Sequence, residues 1–360
     1  MAVYLTFYTI LTAFASIFHV SRTLHYRSVS KGLCISHFTL LCMALSIFVG
    51  LRHQVGGDWN NYINLFELTR GITISSALKI NDPGYYLLNW FASNKFGGIY
   101  LVNYVCAALF VFGIWRLLYE MPDRYSGLAY AFPYLVCVVG MGYTRQSAAL
   151  GLTYLALTSI SQKNLIRFFF FIILASAFHK SAALFSLIAF SRSKSKKVFI
   201  FTFVSTLSGF YLVYELYLSH YVLSLHYSYI ENVYRSNGAI YRTAIHAVFG
   251  LLYLIWFKTK EIKNVPSGIL VFFSYLSFLS FALAITLDSN VFVDRLALYL
   301  FPLDLLVISN LSRLIQPKLL ISSNKLLQVI LGLNLILFVL WLKYSPNSEA
   351  WSNYKIFPFI

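Results

Sequence analysis

The stretch that decides the fold reads LRHQVGGDWNNY, from Leu51 to Tyr62, and it follows an apolar run at 33–51. It places an arginine, two glycines, a carboxylate and aromatic rings at the rim of a predicted membrane span. Charged groups are costly there unless they have partners or bind a ligand. The Gly56–Gly57 pair permits backbone turns that residues with a Cβ resist. Arg52 can hold two anionic oxygens through its planar guanidinium, and Asp58 can accept a hydroxyl proton. The alternative is a helix-capping turn whose arginine reaches the lipid headgroups.

The composition is that of a polytopic membrane protein. Of the 360 residues, 59% are hydrophobic, 18% aromatic and only 11% charged, whereas soluble domains are roughly 45–50% apolar and about 25% charged. The net charge of +16 does not indicate a nucleic-acid partner, because most Lys and Arg fall in short links between apolar runs. The four cysteines lie in apolar segments without metal-ligand or disulfide spacing, so we interpret them as packing residues.

Twelve apolar segments are candidate spans, since about 20 apolar residues cross a bilayer and shorter segments cross only when tilted or shielded. The candidates are 2–20, 33–51, 98–118, 126–141, 146–161, 164–178, 181–191, 198–217, 239–257, 267–287, 295–310 and 326–342. Asp82-Pro83-Gly84 predicts the start of a short helix over 84–95, re-entrant or interfacial, within an outer loop at 52–96. No linker or repeat divides the chain. The sequence therefore predicts an all-α polytopic integral membrane protein with a single transmembrane domain over 1–360.

Orientation follows from the basic residues in the links, because cytoplasmic links carry an excess of Lys and Arg. Most of the Lys and Arg fall in alternate links, which we place in the cytoplasm, so both termini are expected outside. Five polar clusters then reach the outer face, each at the end of a span. They are Arg52 with Asp58 and Tyr62; Asp82-Pro83-Gly84-Tyr85; Tyr143-Thr144-Arg145-Gln146; Phe178-His179-Lys180-Ser181; and Asp294-Arg295 with Tyr299.

Arginines at several outer ends violate the charge rule, and we interpret them as parts of one site. The alternative for Asp294 is an ion pair with Arg295 or another cation that joins helix ends, and for His179 a satisfied helix-terminal histidine. Asp304, in mid-span after Pro302, is costly there by roughly 3 kcal/mol or more if alone. We expect it to make an internal hydrogen bond with a group freed by Pro302, with a proton relay as the alternative, and we expect His246 to be structural.

These motifs resemble, in order, those of the EpsG family of Wzy-like polysaccharide polymerases. Gly50-Leu51-Arg52 through Gly57-Asp58-Trp59 and Tyr62 resembles its opening motif, and Asp82-Pro83-Gly84-Tyr85 its Glu-Pro-Gly-aromatic motif, with Asp in place of Glu. The remaining similar stretches are Arg145-Gln146-Ser147-Ala148, Phe178-His179-Lys180-Ser181-Ala182, Asp294-Arg295-Leu296-Ala297-Leu298-Tyr299 and, more weakly, Trp351-Ser352-Asn353-Tyr354-Lys355.

The resemblance implies a GT-C-like multi-helix bundle with an outward-facing cavity. It also implies a glycosyltransferase of the bacterial inner membrane that polymerises O-antigen or exopolysaccharide. Such an enzyme would transfer a growing glycan from undecaprenyl pyrophosphate to a hydroxyl of another lipid-linked repeat at the outer face. Its partners would be these lipid-linked oligosaccharides and membrane lipids, and a chain-length regulator is a further candidate.

The residue types suggest roles in that chemistry. Arg52, Arg145 and Arg295, supported by Lys180, are expected to bind the diphosphate, because guanidinium groups pair bidentately with phosphate oxygens. Asp58, then His179, is expected to take the acceptor proton, and Asp294 is a further catalytic candidate. The other predicted substrate contacts are Tyr62, Asp82, Tyr85, Gln146, Ser181 and Tyr299. Direct displacement would invert the anomeric centre. No Asp-x-Asp pair is present, so we expect neither a metal ion nor another cofactor.

Two other functional classes are compatible with a polytopic chain of this kind. A membrane O-acyltransferase also places His and Arg at a membrane face, but it takes its acyl donor from the cytoplasm, whereas His179 is predicted outside. A flippase or exporter of lipid-linked oligosaccharide would need a cationic cavity open to both sides. The gathering of polar clusters at one face argues against it.

Overall fold

The computed structural model describes residues 1–23, 31–95, 97–192, 236, 238–257, 262, 265–314 and 322–359. These residues are almost entirely helical, and the one sheet among them has two strands. The strands, β1 (Arg52–His53) and β2 (Lys355–Ile356), run antiparallel, with Arg52 opposite Ile356. The all-α architecture predicted from the apolar runs is therefore confirmed.

The described residues up to 192 form nine α-helices. They are α1 (Ala2–Thr23), α2 (Lys31–Gly50), α3 (Trp59–Glu67), α4 (Ile74–Leu78), α5 (Pro83–Asn94), α6 (Gly98–Leu118), α7 (Arg124–Ala131), α8 (Thr144–Ser161) and α9 (Leu165–Phe178). Helix α7 continues as a π-helix, Phe132–Gly140. Helix α9 is followed by a 3₁₀ helix, Lys180–Arg192.

The described residues after 235 form six further α-helices. They are α10 (Ala239–Leu252), α11 (Ser267–Thr286), α12 (Val291–Ala297), α13 (Phe301–Ile308), α14 (Leu311–Leu314) and α15 (Ser323–Tyr344). Helix α10 continues as a π-helix, Tyr253–Phe257, and α12 leads through a 3₁₀ turn, Leu298–Leu300, into α13. A last 3₁₀ helix, Pro346–Trp351, precedes β2.

Every predicted span that falls within the described residues lies on helix; the candidate at 198–217 lies outside them. Four helical segments are long and apolar enough to cross a membrane, namely Ala2–His19, Gly98–Leu118, Ser267–Thr286 and Ser323–Tyr344. Four shorter apolar helices accompany them. The protein is thus a helical membrane protein, while the count of twelve spans and the GT-C-like arrangement stay predictions.

The surfaces of the apolar helices are themselves apolar, as expected where lipid is the solvent. On α15, Leu333, Leu337 and Leu340 are each about half exposed and share one face at helical spacing, whereas Leu331 and Phe338 are buried. A water-soluble helix would place polar side chains on the exposed face. The exposed leucines therefore support the membrane setting independently of the mean hydropathy.

The chain forms two compact units. Unit 1 comprises Met1–Ser159, Ile166–Ala183 and Ile308–Ile360, and unit 2 comprises Ile160–Leu165 and Leu184–Val307. In unit 1, α1 packs on α7 and α15, and α2 packs on α6; in unit 2, α10 packs on α11 and α12. The single transmembrane domain predicted over 1–360 stays a prediction.

Unit 1 has two ends that aromatic and polar contacts identify. Tyr4, at the start of α1, makes edge contacts with Phe48 near the end of α2 and with Tyr354. At the other end of α1, the ring of His19 lies 3.3 Å from the Asp123 carboxylate. We call the end that holds Tyr4, Phe48 and Tyr354 the loop end.

The short helix expected over 84–95 is present as α5. Pro83 occupies its first turn and Asp82 flanks it, as the missing proline N–H permits at a helix start. The Asp82 side chain makes no capping hydrogen bond to this helix. Its carboxylate instead accepts a hydrogen bond from Arg145. Whether α5 is re-entrant or interfacial stays a prediction.

Candidate functional site

Three of the predicted motifs meet at the carboxylate of Asp82. Nη1 of Arg145, 63 positions away in sequence, donates to Oδ2 of Asp82 at 2.8 Å. The backbone N–H of Lys180 also bonds this carboxylate. Asp82 flanks α5, Arg145 lies in the first turn of α8 and Lys180 begins a 3₁₀ helix. The starts of three helices therefore bring one carboxylate and two cationic residues together.

Asp82 lies beneath its two cations. Its side chain is 4% exposed, against 23% for Arg145, and Lys180 is half-buried. Burial raises the pKa of Asp82, and Arg145 and Lys180 offset only part of that effect. Among the described residues Asp82 is the sole hydrogen-bond acceptor of the Arg145 guanidinium. The remaining Arg145 N–H groups are available to a ligand.

Arg52, by contrast, is enclosed by protein and only 1% exposed. Its Nε donates to the Val55 carbonyl at 3.1 Å, Nη1 to the Val49 carbonyl at 2.7 Å and Nη2 to Oγ1 of Thr144 at 2.9 Å. Burial lowers the pKa of Arg52 to about 10, which leaves it charged at neutral pH. Arg52 therefore ties the end of α2 to the start of α8. A positioning role fits this arrangement better than the predicted contact with a diphosphate.

Two tyrosines lie between these arginines. The rings of Tyr62 and Tyr85 are buried and meet edge to face, with centroids 6.0 Å apart. The Arg145 guanidinium lies 5.7 Å from the Tyr85 ring centroid, a cation–π contact that contributes about 0.5–1 kcal/mol at exposed sites and more when desolvated. Tyr62 thus contacts Tyr85, whose ring lies under the Arg145 guanidinium, while a role of either tyrosine in binding substrate stays a prediction.

The other predicted site residues of unit 1 lie in the same motifs. Gln146 is buried beside Arg145 on α8. Asp58 is half-buried and flanks α3, and its carbonyl accepts the Tyr62 N–H at 2.9 Å. His179 and Ser181 are half-buried on either side of Lys180, and the His179 carbonyl accepts the N–H of Ala182 at 3.0 Å.

The C-terminal tail, residues 345–357, packs on the loop that carries Arg52. Nε1 of Trp351 donates to the carbonyl of Cys137 at 2.9 Å, within the π-helix that follows α7. The N–H of Gly56 donates to the Ala350 carbonyl at 3.0 Å, and the Tyr354 hydroxyl donates to the Phe48 carbonyl at 2.8 Å. Together with the β1–β2 pairing, these bonds fix the loop to the tail.

In unit 2, Asp294 is bound by a cation other than its sequence neighbour. Nε and Nη2 of Arg242 donate to the two oxygens of Asp294 at 2.7 and 2.5 Å, and Oγ of Ser236 donates at 2.9 Å. This is the alternative in which an ion pair joins helix ends. Arg295 is half-buried and Tyr299 is buried. Their predicted meeting with the loop-end residues stays a prediction.

The internal hydrogen bond expected for Asp304 is present. Nδ1 of His246 lies 2.7 Å from Oδ2 of Asp304, and both side chains are buried. The partner is a side chain on α10, not a backbone group released by Pro302. The structural role expected for His246 stays a prediction, and its contact with Asp304 was not foreseen.

Comparison with known proteins agrees with the motif order. The model of the EpsG family matches residues 35–359, which is nearly the entire chain. The chain belongs to the EpsG family. No curated protein and no solved structure matches it. Membership makes this EpsG-family chain a polysaccharide-related membrane protein, of a family associated with glycosyltransferase-like polymerase activity.

Three contacts of the predicted residues were not foreseen by sequence reasoning. Thr144 receives Arg52, Arg242 binds Asp294, and the Cys137 carbonyl receives Trp351. The charge of Arg242, within the predicted span 239–257, is a signal that the sequence does carry. The other two act through a hydroxyl and a backbone carbonyl, and neither leaves a charge pattern in the sequence.

Proposed function

We propose that this EpsG-family protein polymerises surface polysaccharide at the outer face of the bacterial inner membrane. It transfers a growing glycan from undecaprenyl pyrophosphate to a hydroxyl of another lipid-linked repeat. The transfer inverts the anomeric carbon and requires no metal ion. The observation that carries the proposal is the half-exposed pair Arg145 and Lys180, with unused Arg145 donors, above the buried Asp82.

The reaction requires that the negative charge of the leaving diphosphate be neutralised, and this cluster can supply the positive charge. A diphosphate is a good leaving group once its developing charge is neutralised, and preorganised cations supply such stabilisation in water-poor sites. Arg145 offers a planar fork suited to two phosphate oxygens, while Lys180 offers a compact point charge. Family membership supplies the glycan context that charge alone does not.

The other residues take supporting roles in the proposal. Arg52 positions the start of α8 through Thr144, and Arg295 is a further phosphate ligand. From the sequence, Asp58 and His179 are candidate proton acceptors, and Asp294 is a catalytic candidate held by Arg242. The remaining proposed substrate contacts are Tyr62, Tyr85, Gln146 and Ser181 in unit 1 and Tyr299 in unit 2.

The test is polymerisation by purified protein in liposomes, supplied with a lipid-linked repeat and scored for a ladder of products. Arg145→Ala is expected to slow ladder formation about 100-fold or more, because a donor to the leaving group is lost. Arg70→Ala is the matched control, since Arg70 lies in the same outer loop, is 62% exposed and pairs only loosely with Glu67. Full-length ladders from Arg145→Ala would overturn the proposal.

The same assay separates the rival functions. A flippase would move a fluorescent lipid-linked repeat between leaflets without lengthening it, and an O-acyltransferase would add an acyl group without a ladder. A ladder that survives chelator supports metal independence, whereas its loss on chelation and recovery with a divalent cation would contradict that part.

A further inference from the structure

We propose that Asp82 is the general base of the transfer, and that Arg145 and Lys180 hold it inactive until the donor diphosphate takes over their charge. The inference rests on the proposed function and deepens it. It gives Asp82 a role that the motif alone does not state, and it makes proton removal dependent on donor binding.

The arrangement of exposure supports an ordered exchange. The Arg145 side chain is 23% exposed and the Asp82 side chain 4%, so a ligand arriving from solvent meets the cation before the carboxylate. Arg145 reaches Asp82 through one atom, Nη1 to Oδ2 at 2.8 Å. A diphosphate offers more oxygens, with higher charge, than this single contact. The guanidinium can therefore exchange partners without leaving its place over Tyr85.

The exchange changes the basicity of Asp82 in the direction that catalysis needs. Burial raises the pKa of this carboxyl, and the two cations lower it. When Arg145 and Lys180 turn to the diphosphate, their compensation weakens and a further anion lies close by, so the proton affinity of Asp82 rises. The backbone N–H of Lys180 keeps the carboxylate in place throughout. The base becomes strong only when the donor is bound.

The step balances in protons and electrons. The acceptor hydroxyl gives its proton to a carboxylate oxygen of Asp82 as its own oxygen bonds to the anomeric carbon. The bond from that carbon to the diphosphate oxygen breaks, and its electron pair stays on the diphosphate, opposite Arg145 and Lys180. Release of the lipid diphosphate returns both cations to Asp82, which then loses its proton to solvent. No oxidant, reductant or further co-reactant enters.

The competing interpretation is that Asp82 only orients Arg145. The two differ in what removal of the carboxylate does to donor binding. An orienting residue helps Arg145 bind the diphosphate, so its loss weakens binding. A residue that competes with the diphosphate for Arg145 opposes binding, so its loss strengthens it.

The experiment measures binding and transfer separately on purified full-length protein. Binding uses undecaprenyl diphosphate alone, and transfer uses a single turnover of a lipid-linked repeat. Asp82→Asn is expected to bind undecaprenyl diphosphate about tenfold more tightly, since a charged competitor for Arg145 is removed. It is expected to transfer about 100-fold more slowly or worse, as loss of a general base implies. Asp82→Glu is expected to restore most of the transfer.

Folding of the Asn variant is expected to survive. Because the pKa of Asp82 is raised in the fold, its contribution to stability is fully present below the unfolded pKa and is lost as pH rises through the folded pKa. At neutral pH a neutral Asn should leave the Tm unchanged or raise it. For the same reason, wild-type transfer is expected to fall with decreasing pH from a higher pH than an unburied aspartate would give.

The outcomes separate cleanly. If the wild-type protein forms no ladder of products from the lipid-linked repeat, the proposed function itself is wrong. A wild-type ladder with Asp82→Asn weakened in both binding and transfer assigns the orienting role and overturns the inference, as does unimpaired transfer by Asp82→Asn. If Asp58 is the base instead, Asp58→Asn will slow transfer without tightening binding while Asp82→Asn transfers normally. Should the Asn variant fail to fold, transfer by the Asp82→Glu variant decides, because failure to transfer despite a wild-type Tm rules the base out.

Discussion

Arg52 and Arg145 carry the same charge at the loop end but stand in opposite relations to solvent. Arg52 directs its three nitrogen atoms to Val49, Val55 and Thr144. Arg145 directs one to Asp82. Each buried acceptor that loses its donor costs about 1–3 kcal/mol. Deleting Arg52 therefore damages the fold, and deleting Arg145 chiefly damages ligand binding.

A pair of matched substitutions tests this division of roles. Arg52→Met is expected to lower the free energy of unfolding by about 3 kcal/mol or more, because three acceptors lose their donor. Arg145→Met should remove polymerisation at a smaller cost in Tm, since only one acceptor, the Asp82 carboxylate, loses a side-chain donor. Thermal unfolding and ladder assays on both variants give the comparison. Equal losses of Tm would contradict it.

At this scale the sequence predicts which residues gather but not what each one contacts. Asp82, Arg145 and Lys180 were expected at one face and do meet. The burial of Arg52 was not foreseen, because its acceptors are two backbone carbonyls and a hydroxyl 92 positions away. Such acceptors look alike in any sequence, and only the fold that brings the start of α8 next to the loop after α2 selects them.

At the scale of elements, the loop after α2 is held between the π-helix and the tail, and its two glycines contribute differently. Gly56 has φ of 106°, and a Cβ there would lie 2.3 Å from the Met141 carbonyl oxygen. Gly57 has no such strain, and its Cβ would meet only the Trp351 ring at 4.0 Å. One glycine is required by geometry and the other is not.

Alanine substitutions at Gly56 and Gly57 should therefore differ in their effect on stability. Gly56→Ala is expected to destabilise the protein by roughly 2 kcal/mol or more, because both the backbone conformation and the contact with Met141 are unfavourable. Gly57→Ala should stay within about 0.5 kcal/mol of the wild type, as substitutions away from such features do. Tm values of the two purified variants provide the measurement. A Gly57→Ala variant as unstable as Gly56→Ala would show that the loop is misplaced.

The contacts that the C-terminal tail makes with the rest of unit 1 could not be predicted from the sequence. Trp351 and Tyr354 form the weakest of the six motif resemblances, yet each donates a hydrogen bond to a carbonyl of unit 1. Their acceptors, Cys137 and Phe48, lie 214 and 306 positions away. Long-range pairing of this kind leaves no periodic signal, whereas the helices themselves follow directly from apolar runs.

For the molecule as a whole, unit 1 places the start of α1, the loop after α2 and the tail at one end. His19 marks the opposite end, where it contacts Asp123 and lies 3.2 Å from Oγ of Ser323. If unit 1 spans the membrane along α1 and α15, these two sets of residues face opposite compartments. The charge pattern of the links predicts that the loop end faces outside.

Cysteine labelling tests that assignment on the protein in its membrane. Asn60→Cys and Ser352→Cys, both exposed at the loop end, are expected to react with a membrane-impermeant maleimide from outside spheroplasts. Lys325→Cys, near Ser323, should react only in inverted vesicles. Cys34→Ala provides the background, because Cys42, Cys106 and Cys137 are buried. Labelling of all three introduced cysteines from one side would refute the orientation.

The pairing of β1 with β2 has a consequence for biosynthesis. Arg52–His53 leave the ribosome long before Lys355–Ile356, so the nascent loop waits for its strand partner through the translation of α3 to α15. A polypeptide released early would insert its first helices and still lack β2 and the hydrogen bond from Gly56 to Ala350. Such a product would expose the loop after α2, without its strand partner, to membrane proteases. Only chains translated through Ile356 would therefore be protected from this degradation.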